Sequence, residues 1–365
     1  MLVLLVCDLG LQLIMHYKGF KYSRVGTVNY YHHPGGAHGS VSRDTKIPII
    51  FCHGIGIGLI YYLPLINELL KLGHPLLLPE IPYVCGFRPW QNLIAILSPS
   101  QVCSTLSAML AINGYTKGIF MGHSFGSSWV SYICKYASPM MSAVVFLDPI
   151  CFGTYHPCLT KNFIYTRPDP GSVSFMVKTD VIVNWTIQRA FPWISISLFT
   201  EDIPAVPCAI FLSEVDELIP VDEIQSYLET KGAILSHFDS DAAEGNLPNS
   251  EGFINVTIFR GDNHGAWVMR PSAVKTIAMT ADIFAKNDYC DDRSDLSSET
   301  DSQLWVVPTL NFQSKHIALT FSIHNGYLCR HPRPMECIYS ITVANLPVKT
   351  FKRSYLAMEG NAVIE

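Results

Sequence analysis

Residues 118–136 read Gly-Ile-Phe-Met-Gly-His-Ser-Phe-Gly-Ser-Ser-Trp-Val-Ser-Tyr-Ile-Cys-Lys-Tyr. The first part, Gly118 to Gly122, is the short apolar run expected of a strand buried on both faces. The second part, from Ser124 to about Ala137, has the length and composition of a helix. Between them lies the G-x-S-x-G pentapeptide Gly122-His-Ser-Phe-Gly126. At such a junction the serine projects from a sharp, strained turn, and glycines two residues to either side leave room for close packing. The adjoining helix N-terminus favours negative charge developing at the hydroxyl. Ser124 is the candidate nucleophile.

The pattern repeats outward. Gly26 to Tyr31 reads as an early strand, and the apolar runs Ile47–Cys52, His74–Pro79, Ala143–Leu147, Pro207–Ser213 and Asn255–Phe259 as buried ones. Leu59 to Leu72 has helical spacing and stops at Gly73. Ser98, Pro99 and Gln101 open a helix that runs to about Asn113 and stops at Gly114. Strands alternating with helices predict an α/β fold with a mostly parallel, doubly wound sheet. The stretch 149–205 breaks the alternation. It holds nine aromatics between Ile150 and Pro204, and a helix is expected over Ser172–Arg189, bounded by Gly171 and Pro192. It reads as a cap inserted over the sheet.

A serine hydroxyl needs a base to take its proton, and the base needs an acid to orient it. His264 follows the strand Asn255–Phe259 in Arg260-Gly-Asp-Asn-His-Gly265 and is the candidate base. Asp216 follows Pro207–Ser213 and is the candidate acid. Glu214 and Glu217 compete with it, as does Asp148 after Ala143–Leu147, although Asp148-Pro149 reads better as a turn or cap anchor. The order Ser124, Asp216, His264 is the one expected of a serine elbow on such a sheet. Upstream, His53-Gly-Ile-Gly-Ile-Gly58 follows a strand, as an oxyanion loop should. The main-chain N–H groups of Ile55 and Phe125 are the candidate donors, and His53 itself is structural. A phosphate-binding reading of this loop lacks the GK[ST] that would support it.

Together these motifs resemble the α/β-hydrolase superfamily in its general serine-hydrolase branch, over roughly Val25–Lys286. The resemblance implies an eight-stranded, mostly parallel sheet flanked by helices, with a cap after the sixth strand. It implies a catalytic triad of Ser124, Asp216 and His264, with Ile55 and Phe125 forming the oxyanion hole. The segment Pro149–Pro192 is similar to the cap of little-characterised eukaryotic lipase-like members. The expected activity is cleavage of a carboxylic ester, with no metal or organic cofactor. An acyltransferase would use the same residues, and a non-enzymatic binding protein on a hydrolase scaffold is the rival class.

Composition bounds the partners. Of 365 residues 49% are hydrophobic and only 15% charged, against an ordinary charged share of about 25%. This favours a small-molecule or lipid ester and leaves open a peripheral contact with a membrane. A net charge of −5 supplies no basic field for nucleic acid. The eleven cysteines form no C-x-x-C pair, so reduced core thiols in an intracellular chain are expected. The sequons at Asn184 and Asn255 are chance matches on this reading. Met1–Met15 is apolar but too short to span a bilayer, and residues 1–24 are expected to form a docking helix or a membrane-lying one. Asp288–Asp301 carries six acids against one arginine and reads as a solvated linker. The tail to Glu365 has no evident fold.

Overall fold

The computed structural model describes residues 2–36, 47–85, 96–168, 170, 175, 178–239, 254–294, 311–314, 317–320, 336–341 and 349–354. Residues 1–297 form one compact unit, built on a nine-stranded sheet. Its strands are β1 (Lys21–Val25), β2 (Val28–His33), β3 (Ile49–Cys52), β4 (Leu76–Pro79), β5 (Gly118–His123), β6 (Met141–Leu147), β7 (Cys208–Ser213), β8 (Ile234–Phe238) and β9 (Ile254–Phe259), in the order β1-β2-β4-β3-β5-β6-β7-β9-β8. Only the β1–β2 and β2–β4 pairs are antiparallel. The expectation of eight strands is corrected to nine, and that of one early strand at Gly26–Tyr31 to a hairpin. Gly26 and Thr27 form its turn. The polar edge strand β1 (KYSRV) and the half-exposed edge strand β8 carry little apolar signal, because an edge strand buries one face at most.

Six of the seven inner strands, β3, β4, β5, β6, β7 and β9, are buried at every residue. Alternate residues feed two cores. Ile49, Phe51, Ile119, Met121, Val145 and Phe211 pack with residues of helices α1 (Leu2–Tyr17), α2 (Leu63–Leu72) and α7 (Pro271–Ser294). Ile50, Cys52, Phe120, Phe146, Ile210 and Leu212 pack with α3 (Pro99–Ile112), α4 (Gly126–Tyr136) and α6 (Val221–Thr230). The signals at Ser98 operate as read: its hydroxyl accepts from the Gln101 amide while its own N–H donates to Gln101 Oε1 at 2.9 Å.

The chain between β6 and β7 is irregular and holds a π-helical turn at Lys161–Tyr165 and the helix α5 (Val181–Arg189). One continuous helix over Ser172–Arg189 is not what forms. Asp180 has extended backbone, and its carboxylate accepts from the amides of Ile182 and Val183 at 3.0 Å each. That N-cap breaks the helical run. The Gly171-Ser172 start lies outside the described residues. The linker expectation is also corrected in part, since α7 continues past Lys286 to Ser294; a helical backbone accommodates polar residues as readily as a coil does. Residues 298–365 form a second compact unit with two antiparallel pairs, Asn311–Ser314 with Ile317–Thr320 and Glu336–Ile341 with Lys349–Ser354. Trp305–Val307 lies outside the described residues. Cys52 and Cys208 are buried free thiols. Asn255 is buried within β9, where a glycan has no room.

Gly126, the first residue of α4, lies against β3. A Cβ added there would sit 2.0 Å from the Cys52 carbonyl oxygen and 2.5 Å from its carbon. The obstruction is backbone, so no rotamer change relieves it. Gly126→Ala should destabilise the fold by about 3 kcal/mol or more, at the upper end of overpacking costs. A chemical-denaturation midpoint unchanged from the parent chain would contradict this close approach.

Candidate active site

The candidate residues come from four strand ends, those of β3, β5, β7 and β9. Cys52 closes β3 beside Gly122 of β5, so the His53 loop and the elbow leave the sheet side by side. Ser124 occupies the left-handed region at φ 50°, a strained conformation for a residue with a side chain. Its N–H donates to the Leu147 carbonyl at 2.9 Å, which pins the elbow to β6. Ser124 Oγ lies 2.8 Å from His264 Nε2, and His264 Nδ1 lies 2.5 Å from Asp216 Oδ2. In the neutral ring the hydroxyl donates to Nε2 and the Nδ1–H donates to the carboxylate. Burial opposes charge on His264, but the neighbouring Asp216 outweighs it and, with Asp148 behind, raises the imidazole to about 9.

Four carboxylates compete for His264, and the geometry separates them. Asp216 Oδ1 accepts from the amides of Leu218 at 2.8 Å and Ile219 at 3.1 Å, which leaves Oδ2 for the imidazole. Glu214 accepts from Gly261 N–H at 2.8 Å and so ties the acid loop to the histidine loop. Glu217 is exposed, and its backbone carbonyl accepts from Asn162. Asp148 is fully buried and accepts four hydrogen bonds: from Ser213 N at 2.7 Å, Ser213 Oγ at 3.0 Å, Gly265 N at 2.8 Å and Trp267 Nε1 at 3.1 Å. It anchors the two loops and makes no bond to the imidazole. Burial alone would push Asp148 up; the nearby His123 and His264 and the Gly265 amide hold its carboxyl below the usual range. Oxygen and nitrogen atoms of Asp148, Asp216 and His264 lie within 4.8 Å of one another. That cluster is a poor cation site, because N–H donors point at the Asp148 oxygen and the Asp216–His264 bond occupies the rest.

Beneath the elbow runs a polar relay that the sequence does not signal. Gly54 N–H donates to Tyr62 Oη at 3.0 Å, and Tyr62 Oη lies 2.7 Å from His123 Nδ1. With that oxygen already accepting from Gly54, the phenol proton goes to Nδ1, and His123 carries its own proton on Nε2, 3.8 Å from Asp148 Oδ2. Burial lowers the His123 pKa and favours the neutral ring. Gly54 has room for nothing larger, since a Cβ there would meet His123 Nδ1 at 2.8 Å and Tyr62 Oη at 2.9 Å. His53 is structural, as expected: Nε2 accepts from the Ile81 amide at 2.9 Å and Nδ1 donates to the Gly54 carbonyl at 2.7 Å. Tyr62 and His123 escape sequence reading because nothing local marks a tyrosine eight residues after a glycine as its partner.

Ile55, Ser124 and Phe125 line one small cavity with Ile150, Leu159, Phe163, Phe191, Trp193 and Leu218. Its floor is the elbow, and its roof comes from the cap. Phe191 joins them, with ring centroids 5.6 Å from Phe125, 6.3 Å from Phe163 and 4.3 Å from Trp193. The space open to water centres is about 10 Å³, room for roughly one water.

Two measurements separate Asp216 from Asp148. A reaction that needs neutral His264 should rise with pH through about 9, because the raised pKa keeps the ring protonated below that. Asp216→Asn removes the anion that favours the imidazolium, so the inflection should move down, with kcat reduced by about 10⁴. Asp148→Asn should instead lower stability by about 2 kcal/mol by facing N–H donors with an amide. An unmoved inflection in Asp216→Asn would remove that residue from the orienting role.

No known family profile matches this sequence, and no curated protein matches it. Solved structures do match. A bacterial membrane phospholipase A, described as a virulence factor, superposes with a TM-score of 0.51 at 12% identity, over 78% of this chain and 92% of its own. A thermophilic esterase from Thermogutta terrifontis superposes with a TM-score of 0.51 at 12% identity, over 74% of this chain and 99% of its own. Likeness at this identity is a matter of architecture, and it agrees with the mostly parallel, open sheet flanked by helices: the chain has the α/β-hydrolase fold.

Proposed function

We propose that this chain is a serine hydrolase that cleaves carboxylic esters bearing a substantial apolar part. The observation that carries the reading is the unbroken hydrogen-bond relay Ser124–His264–Asp216, opening on an apolar cavity. In the proposed reaction His264 Nε2 takes the Ser124 proton as Oγ bonds to the ester carbonyl carbon. The main-chain N–H groups of Ile55 and Phe125 receive the oxyanion, and neither donates elsewhere among the described residues. The C–O bond to the alcohol breaks and His264 returns the proton to the leaving oxygen. Water, deprotonated by the same imidazole, then attacks the acyl-enzyme and releases the acid and free Ser124. Asp216 holds the ring in the tautomer this needs and stabilises its charged form. No step calls for a metal or an organic cofactor.

The substrate class rests on the cavity walls. Every side chain lining the space around Ser124 is apolar or aromatic, and each methylene buried there contributes about 0.8 kcal/mol. With room for little more than a water, an acyl chain enters only as Phe163, Phe191 and Trp193 move aside.

The triad is tested with an activity-based fluorophosphonate probe. The parent chain should be labelled; Ser124→Ala should lose both labelling and esterase activity while keeping its circular dichroism spectrum. Labelling of folded Ser124→Ala would remove the nucleophile. The substrate class is tested with p-nitrophenyl esters from acetate to palmitate, each below its micelle concentration. The kcat/KM should climb with chain length until the pocket is full. A steady decline beyond acetate would make this a small-ester hydrolase.

A further inference from the structure

Helix α1 is apolar on two sides, and the protein uses one. Leu11 and Met15 are buried and join Leu59, Tyr62, Leu65 and Ile66 in the core. On the other side Val6, Leu9, Leu13, Ile14 and Tyr17 are exposed, Leu13 to 72% and Tyr17 to 91%. Their spacing of three and four residues puts them on neighbouring rows of the helix. A helix apolar all round is ordinarily buried all round.

The net charge around this face is basic. Residues 2–24 contain a single acid, Asp8, which is buried and accepts from Gln12 at 3.3 Å. The charged groups where the helix ends are Lys18, Lys21 and Arg24. Lys18 also lines an open groove whose walls include Pro64, Leu70, Val268 and the exposed Met269; the other charges there, Lys71 and Glu68, pair with each other at 2.5 Å, which leaves Lys18 as the net charge of the groove. The apolar face is thus continued by a basic rim and a second apolar surface.

We propose that this face docks on a bilayer surface that carries anionic headgroups. The helix lies in the plane of the interface, its leucines below the headgroups and its basic rim against the phosphates. No described helix is long and apolar enough to cross a membrane. A second copy of the chain is the poorer occupant, since a two-fold contact through this face would set the basic rim against itself. The docked helix would sit one element from the site: α1 packs on the turn Gly58–Tyr62 that follows the His53 loop.

Vesicle flotation of the full chain tests this directly, and it reads binding without turnover. The chain should float with phosphatidylcholine vesicles containing phosphatidylglycerol, and less with phosphatidylcholine alone. Leu9→Asp combined with Leu13→Asp should cut the partition at least about tenfold while the fluorophosphonate label and the spectrum stay unchanged. Lys18→Glu with Lys21→Glu should erase the preference for anionic vesicles. Ser124→Ala should float as the parent does, so loss of the hydrolase reading leaves this one standing. The proposal is overturned if the parent chain stays unbound, if the leucine variant floats equally well, or if sedimentation shows a parent dimer that the leucine variant dissociates.

Discussion

Asp148 sits at the end of β6 with no solvent exposure, and a charge in that position must be satisfied by the protein around it. Its two oxygens collect donors from β7 and from the loop after β9. The Ser213 amide and hydroxyl hold the start of the loop that presents Asp216. The Gly265 amide and the Trp267 indole hold the turn that presents His264. Meanwhile β6 receives the elbow through the Ser124 N–H. Three strand ends are brought into register by one desolvated carboxylate and one main-chain bond. The hydrogen bonds of 2.8 and 2.5 Å between Ser124, His264 and Asp216 depend on that register, because side chains alone cannot correct a displaced loop.

The parts legible in the sequence were those written in local signals. The pentapeptide around Ser124, the runs of buried strand and the capping residues at Ser98 each act through neighbours a few positions away. Asp148 was noticed as an acid at a strand end, and a turn or cap anchor was the better reading of it; its actual task, joining two loops 65 and 117 residues downstream, is a tertiary fact with no local mark. The same holds for Tyr62 with His123. Strands β1 and β8 were missed for a different reason, since edge strands bury too little to show an apolar period. The break at Asp180 was legible in principle: an aspartate before Val-Ile-Val is a capping signal, and the apolar spacing around it drew the reading toward one long helix.

The aromatic roof and the exposed helix are answers to one compositional fact. A chain with 49% hydrophobic and 15% charged residues has more apolar surface than the sheet and its flanking helices need to bury. Part of the excess lies beside Ser124, where the Phe191 ring meets Phe125 and Phe163 edge-on and Trp193 at a tilt. Part lies along the outside of α1. The first place is continuous with one of the two main cores, in which Phe125 and Phe191 are buried; the second joins neither.

A chamber with room for about one water would have a kinetic consequence for the fate of the proposed acyl-enzyme. The acyl chain already holds Phe163, Phe191 and Trp193 aside, so a water needs little further space beside Ser124, whereas an alcohol acceptor of any length needs the roof raised further. The branching ratio between free acid and a new ester would therefore be governed by how long the roof stays open after the first alcohol leaves, rather than by the relative nucleophilicity of the two acceptors. Hydrolase and transferase would then be two regimes of one chain, separated by a gating time.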